Sequence, residues 1–379
     1  TEFAAMVGNG GVASSGDQVN VDGTLQPAVY GMFDQAFGFV EAREKLLLDA
    51  RSVTDTAILA PVPRADYPPE HAEGPAMLGA HKALLESHVQ FDILSSLDID
   101  KIDAYQRIVL TEPNDFGPDV MERLRAWVEA GGDLIAVGSA LITNTNAFEL
   151  AGVFGVDYLE PSVFSVSHFR PGPEVAGDTY DLPLQCRGRS YKVIPTTADV
   201  LADYIYPQIE GTATYAFRHN VCPPPADDVS PYPFATVNRY GKGRAVYVAG
   251  SVFKIYWETN HHWLRQFIEG IWQHLDPEPL YRVDMSGIIE ANLMQRPNDE
   301  LMLNLIHYQV GHQSAGSAIP SIERVHPIRG VPCEVKATGV ARVVLEPEGA
   351  EIPFVEDNGY VTFTVPEIEY MAIVRLVMS

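Results

Sequence analysis

The sequence predicts an α/β architecture: a parallel sheet covered by helices on both faces, with an inserted irregular β region, followed by a small all-β sandwich. Three observations predict it. From about residue 52 to residue 137, short and nearly continuous apolar runs alternate with helical patterns, as buried parallel strands and their crossover helices do. After Gly138 that alternation lapses for about a hundred residues rich in Pro, Gly and aromatics. Beyond Pro277 and Pro279 only short strands with turn signals remain. The predicted domains are therefore 1–51, 52–276 and 277–379.

The elements follow in order. Residues 3–7 form a short apolar run that ends in Gly8-Asn9-Gly10-Gly11, the pattern of a strand entering a flexible loop. Residues 17–23 are polar turn material. A helix comes next, with Thr24 as its cap and Pro27 in its first turn. Tyr30, Phe33, Phe37 and Val40 share one face of it and predict a buried stripe, while Glu41 and Lys45 pair on the outer side. Residues 56–59 read as a buried strand stopped by Pro61 and Pro63. Pro75 opens a helix whose predicted apolar face is Met77, Leu78, Leu84, Leu85 and Val89. Residues 91–94 and 107–110 are strands. Pro118 starts a helix that buries Val120, Leu124, Trp127 and Val128 and stops at Gly131-Gly132. Residues 133–137 are the next strand. Later, 235–240 and 245–249 flank the turn Gly241-Lys242-Gly243 as a hairpin, and a helix over 260–275 closes the domain. The final strands are predicted at 301–307, 333–336, 341–345, 360–365 and 371–377.

Composition limits function. With 26 Lys and Arg against 50 Asp and Glu, the net charge is −24, which argues against nucleic acid and anionic membrane surfaces as partners. Cys186, Cys222 and Cys333 are too few and too far apart for a disulfide framework or a zinc site, so a reducing cytoplasm is the expected setting. No metal or cofactor is expected. No apolar run reaches the length of about 18 residues that a membrane-spanning helix needs. The chain begins Thr1-Glu2-Phe3, without Met and without a signal peptide, which suggests a processed chain or a fragment.

Several residues have chemistry to offer. The turn Val137-Gly138-Ser139-Ala140 follows a sheet strand, where amidotransferases and α/β hydrolases hold a nucleophile. It lacks the small-x-Ser-x-small pattern, so Ser139 reads as a turn or cap residue. Gly241-Lys242-Gly243-Arg244 lies between two strands, which makes it a hairpin turn and not a phosphate loop. His261 and His262 are adjacent and point to different helix faces, which argues against metal ligation. His219, before Pro223-Pro224-Pro225, faces a ligand or stiffens a surface loop, and no partner group in the sequence decides between these. Asp17 and Gln18 follow the glycine turn, as an Asx turn or as substrate contacts at the mouth of a (β/α)₈ barrel. Glycoside hydrolysis needs two flanking carboxyl groups. Glu112, Asp115 and Glu258 are available, but nothing in their spacing marks a pair.

Three segments together resemble a bacterial group of glycosyl hydrolases related in domain plan to the α-L-fucosidase-like and family 42 β-galactosidase enzymes. The stretch from Gly10-Gly11 through Gly16-Asp17-Gln18 to Asp22-Gly23 resembles that group's ending of the catalytic barrel. Trp127-Val128-Glu129-Ala130-Gly131-Gly132-Asp133 and Tyr240-Gly241-Lys242-Gly243-Arg244 are similar to its β-galactosidase trimerisation domain, which is flavodoxin-like and shares the class I amidotransferase fold without its nucleophile. Leu303-Asn304-Leu305-Ile306-His307-Tyr308 resembles the first core strand of its terminal sandwich. The resemblance implies a non-catalytic carboxy-terminal half or subunit that completes the barrel and mediates homo-oligomerisation, with a carbohydrate substrate and catalytic carboxylates outside this chain. Asn9, Asp17, Gln18 and His219 are then the substrate-binding candidates, and a barrel-bearing segment or subunit is the missing partner. Two alternatives stand beside it: a self-sufficient amidotransferase-like hydrolase with a diverged site near Ser139, and a carbohydrate-binding structural subunit.

Overall fold

The structure, a computed structural model, describes residues 1–61, 74–112, 116–179, 181–208, 225–285, 287–309 and 322–379, and for 225–228 the backbone alone. They form two compact units: Asp55–Pro277, and Thr1–Thr54 together with Glu278–Ser379. None of the described helices is long and apolar enough to cross a membrane.

The unit Asp55–Pro277 is built on a nine-stranded mixed sheet. Five strands run parallel, in the order Asp92–Ser95, Thr56–Ala60, Arg107–Leu110, Asp133–Val137 and Gly243–Val248. Four antiparallel strands continue the same sheet: Pro225–Tyr240, Asp199–Pro207, Val166–Pro171 and Leu184–Arg187. The region read as irregular β sequence is therefore mostly an extension of the main sheet. It escapes a periodic reading because its strands carry bulges and register shifts, as between Asp199–Pro207 and its neighbour.

The parallel strands are apolar throughout because helices cover both faces. On one face Ile58, Val109, Ile135, Val246 and Val248 pack with Leu84, Phe253, Phe267 and Ile271. On the other, Ala57, Leu59, Ile108, Leu110, Leu134 and Tyr247 pack with Leu124, Trp127 and Val128. Helix Pro118–Ala130 has the predicted bounds and stops at Gly131, whose φ of 135° suits glycine. Helix Pro75–Glu86 differs from the expectation. It buries Ala76, Gly79, Ala80, Ala83 and Leu84, while Met77 and Leu85 are only partly buried. A Cβ at Gly79 would collide with the Phe253 carbonyl, so the helix crossing is too close for the larger side chains that a hydrophobicity pattern selects.

A buried ion cluster ties both ends of this unit to its middle. Arg107, on a central strand, bonds Asp55 at 2.8 Å and Asp276 at 2.9 Å. Beside it Arg244 grips the Asp133 carboxylate with two bonds, at 2.9 and 2.6 Å, and donates to the Leu275 carbonyl at 2.7 Å. Arg244 thus holds together strand and helix ends, directly after the hairpin turn Gly241-Lys242, which the pairing of Tyr240 with Gly243 bears out.

The second unit is a sandwich of antiparallel sheets with an added helical layer. The six-stranded sheet runs Arg51–Ser52, Ile289–Gln295, Leu301–His307, Met371–Met378, Val340–Glu346, Ala350–Ile352. The four-stranded sheet runs Tyr281–Val283, Ile328–Lys336, Tyr360–Ile368, Phe354–Asp357. Alternation along Leu301–His307 sends Leu303 and Leu305 into the core between the sheets and Met302 and Ile306 to the opposite face. That opposite face is covered by the start of the chain: Ala4 and Val7 are buried there with Met294, Met302, Ile306, Met371 and Ile373.

Two expectations about the opening segment are corrected. The run read as a strand is a helix, Glu2–Gly8, because five apolar residues do not distinguish the two periods and Ala4-Ala5-Met6 favours a helix. The end of the segment joins the six-stranded sheet, where Arg51–Ser52 pairs with Ile289–Gln295 and Val53 donates to the Leu293 carbonyl at 2.9 Å. Helix Pro27–Leu47 forms as expected, but Gln26 and not Thr24 is its N-cap, and it buries no residue fully. Thr24 instead donates to Asp22 at 2.7 Å in the preceding turn. Phe39, Val40, Leu46 and Leu47 pack against the sandwich, while Tyr30, Met32 and Phe37 remain 42%, 63% and 41% exposed.

Removing the buried guanidinium leaves the largely buried Asp276 carboxylate without its cation, while Asp55, 38% exposed, can turn to solvent. Arg107→Ala is expected to lower the unfolding free energy by about 2–3 kcal/mol in chemical denaturation, less than a fully buried pair would cost because Asp55 is solvated. His168 is buried with no partner for Nδ1, and burial lowers its pKa from 6.5 to about 4. Its neutral form stabilises the fold above pH 6.5, and that stability drains away as pH falls toward 4. Between pH 7 and 4.5 the loss from this group is about 2 kcal/mol. Denaturation curves of His168→Leu at the two pH values should show a correspondingly smaller drop.

Candidate functional site

The amino-terminal turn is held from below by the sandwich. Helix Glu2–Gly8 ends at Asn9, whose Nδ2 donates to the Ala5 carbonyl at 2.9 Å. Its Oδ1 accepts from Asn292 Nδ2. Asn304 Nδ2 donates to the Gly8 carbonyl at 3.0 Å. Gly10 has a φ of 80°, and a Cβ on Gly8 would stand 2.6 Å from the Ile306 side chain, so glycine fits both places. The chain then runs out to Asp17 and Gln18, both exposed, where Asp17 Oδ1 accepts from the Gln18 N–H at 2.8 Å. Of the candidates read from the sequence, the structure therefore gathers Asn9, Asp17 and Gln18 on one short segment. Asn9 has its amide engaged in the fold, while Asp17 and Gln18 face solvent. His219 lies outside the described residues.

Beside this segment is an open cleft of about 750 Å³. Phe3, Met32, Phe33 and Tyr370 give it an apolar wall, and Glu2, Glu323, Arg324 and Glu369 give it charge. Aromatic rings line up behind it, with Phe3 edge-on to Phe37 at 5.1 Å and Tyr30 edge-on to Phe33 at 5.7 Å.

A second polar cluster lies at the carboxyl ends of the parallel strands in the other unit, the end at which open α/β sheets bind ligands. Glu112 follows Arg107–Leu110, and its Oε2 accepts from both the N–H and the hydroxyl of Ser139, each at 3.1 Å. Its Oε1 is buried without a partner. Tyr191 also hydrogen-bonds Ser139, and burial raises its phenol pKa. Cys186 is completely buried nearby, and desolvation first, then the Glu112 charge, pushes its thiol upward. A nucleophile elbow strains the nucleophile's own backbone. Here the positive φ, 59°, belongs to Gly138, and Ser139 is not among the positive-φ residues. Among the described residues no histidine hydrogen-bonds Ser139. The carboxylate closes the turn, and the thiol is held protonated.

Other candidates resolve plainly. His261 and His262 are exposed and their rings stack at 5.8 Å, and no group of three or more His, Cys, Asp or Glu among the described residues is arranged to hold a metal. The sequence reading named Glu112 only as an available acid and passed over Asn292 and Asn304. A signal was present for Asn304, which interrupts the apolar run that opens Leu301–His307, but not for Asn292, whose strand Ile289–Gln295 carries Glu290 and Gln295 as well. Glu112 had no comparable signal, because its partner is 27 residues away in sequence.

With this geometry in hand, the chain can be set beside known structures. It matches α-L-fucosidase isoenzyme 2 from Paenibacillus thiaminolyticus with a TM-score of 0.88 at 21% identity, over 100% of this chain and 56% of that one. A β-galactosidase from Rahnella sp. R3 matches with a TM-score of 0.61 at 15% identity, over 98% of this chain and 50% of that one. A β-galactosidase from Bacillus circulans sp. alkalophilus matches with a TM-score of 0.59 at 17% identity, over 95% and 46%. No family model and no curated protein matches the chain. The resemblance read from the sequence is thus borne out in the fold, and the chain spans about half the length of these glycosidases.

The cluster at Glu112 predicts unequal costs. Ser139→Ala removes the hydroxyl's hydrogen bonds to Glu112 and Tyr191 but keeps the N–H bond to Glu112, and should cost about 1–2 kcal/mol. Gly138→Ala meets both a left-handed backbone and the Glu112 carboxylate, and should cost about 2 kcal/mol or more. Urea titrations that rank the two variants the other way would exclude this account of the turn.

Proposed function

We propose that this chain is the non-barrel, carboxy-terminal half of a glycoside hydrolase, with the catalytic carboxylates outside residues 1–379. The observation that carries this reading is the match of the whole chain to little more than half of a glycosidase, at a TM-score of 0.88. In this reading residues 1–51 end the catalytic barrel, 52–276 are a trimerisation-like domain, and 277–379 are the terminal sandwich. The five parallel strands support a flavodoxin-like, class I amidotransferase-like assignment of the middle domain, since their spatial order is second, first, third, fourth, fifth. Its role is homo-oligomerisation. The substrate is a carbohydrate, with Asp17 and Gln18 at its edge and His219 as a further contact.

The exposed row on helix Pro27–Leu47 supports a missing partner. Tyr30 and Phe37 lie exposed on one face of the helix and Met32, also exposed, lines the 750 Å³ cleft, and large exposed apolar side chains of this kind mark an interface. The barrel-bearing segment, joined or separate, would cover it. The Ser139 alternative gains no support from the turn geometry above. The reading of a carbohydrate-binding structural subunit differs in one respect, namely that sugar would bind without the barrel.

The chain alone should not hydrolyse aryl α-L-fucosides or aryl β-galactosides, and activity should appear once a barrel-bearing segment is supplied in cis or in trans. Hydrolysis by the chain alone would sink the proposal. Tyr30→Ser with Phe37→Ser should weaken association with that segment by about tenfold or more, measured by analytical ultracentrifugation.

A further inference from the structure

Two asparagines stand among the apolar residues of the sandwich's outer face, which carries Glu290 and Arg375 as well. Asn292 and Asn304 are direct cross-strand neighbours on Ile289–Gln295 and Leu301–His307. On the same face, Met294, Met302 and Ile306 form the core against the opening helix. Asn304 is fully buried, and its Oδ1 has no partner. A core selected for stability alone would place an aliphatic side chain there, because an unpartnered buried amide oxygen is unfavourable. What the pair provides is geometry. Asn304 fixes the Gly8 carbonyl at 3.0 Å, and Asn292 fixes the Asn9 side chain. Both bonds fall on the last turn of helix Glu2–Gly8, immediately before Gly10 turns the chain toward Asp17 and Gln18.

We infer that Asn292 and Asn304 are positioning residues: a polar lock by which the terminal sandwich sets the register of the glycine turn and so the place of Asp17 and Gln18. Methionines and alanines make a slippery interface, since flexible thioethers fill gaps without specifying one arrangement. A buried amide pair among them admits one seating of the helix, as single buried asparagines fix register elsewhere. The sandwich is therefore a determinant of the candidate substrate edge at a distance, through the turn. The substrate part of this inference rests on the glycosidase reading, whereas the lock itself does not.

Amide hydrogen exchange on the full chain tests the lock directly. Asn9, Gly10 and Gly11 donate to Ala5, Val7 and Met6 carbonyls at 3.2, 3.1 and 2.8 Å. In Asn304→Leu these amides should exchange about tenfold faster while the amides of Leu301–His307 stay protected. Asn292→Ala, which leaves Asn304 in place, guards against a folding defect and should give a smaller acceleration in the same three amides. In a double-mutant cycle, Asn9→Ala should accelerate exchange less in the Asn292→Ala background than in the parent, because the bond between the two side chains is lost only once while the Asn9–Ala5 bond is lost in both. Unchanged exchange at the turn, or equal loss of protection along the strand, would overturn the lock. With the barrel-bearing segment supplied, Asn304→Leu should raise KM several-fold with kcat nearly constant, and an unmoved KM would overturn the role at the substrate edge. Faster exchange with no glycosidase activity under any supplement would leave the lock standing and remove the glycosidase reading instead.

Discussion

Each large sheet of this protein presents apolar side chains on both faces, and these must be covered. In the unit Asp55–Pro277 the five parallel strands meet this constraint with helices on either side. In the other unit, the four-stranded sheet covers one face of the six-stranded sheet, and the other face needs the opening segment of the chain. That need makes the unit discontinuous in sequence, joining Thr1–Thr54 to Glu278–Ser379. It also fixes where the glycine turn can lie, since Gly8 is the residue small enough to pass over Ile306.

Polar residues in these cores act as locators. Arg107 gathers Asp55 and Asp276, the two ends of its unit, onto a central strand, and Arg244 with Asp133 does the same for a helix end. Glu112 closes the turn at Ser139. Asn292 and Asn304 seat the opening helix. Desolvation makes each arrangement costly to break and modest in net stability, which suits groups whose work is to select one geometry.

The opening helix pair is only half satisfied. Its later turns pack on the sandwich through Phe39, Val40, Leu46 and Leu47, while Tyr30, Met32 and Phe37 face outward. A surface of that kind, next to a cleft with both aromatic and acidic walls, is consistent with a chain that spans about half of the glycosidases it resembles.

By itself the sequence determined the periodic elements. The parallel strands, the helix Pro118–Ala130, the hairpin at Gly241-Lys242 and five strands of the terminal sandwich show in the spacing of apolar residues, because burial on one or both faces imposes that spacing, whereas Tyr281–Val283, Ile289–Gln295, Ala350–Ile352 and Phe354–Asp357 escape that reading. The resemblance to glycosidases was legible as well, from short phrases around Gly16-Asp17-Gln18, Trp127–Asp133 and Tyr240–Arg244. Only the tertiary structure decided that helix Pro75–Glu86 packs through Gly79 and its alanines, and that the bulged strands after Gly138 join the main sheet. Tertiary structure alone also brought Glu112 to Ser139 and Asn304 to Gly8, which lie 27 and 296 residues apart. Such pairings depend on close backbone approach and on which surfaces meet, and no local periodicity encodes either.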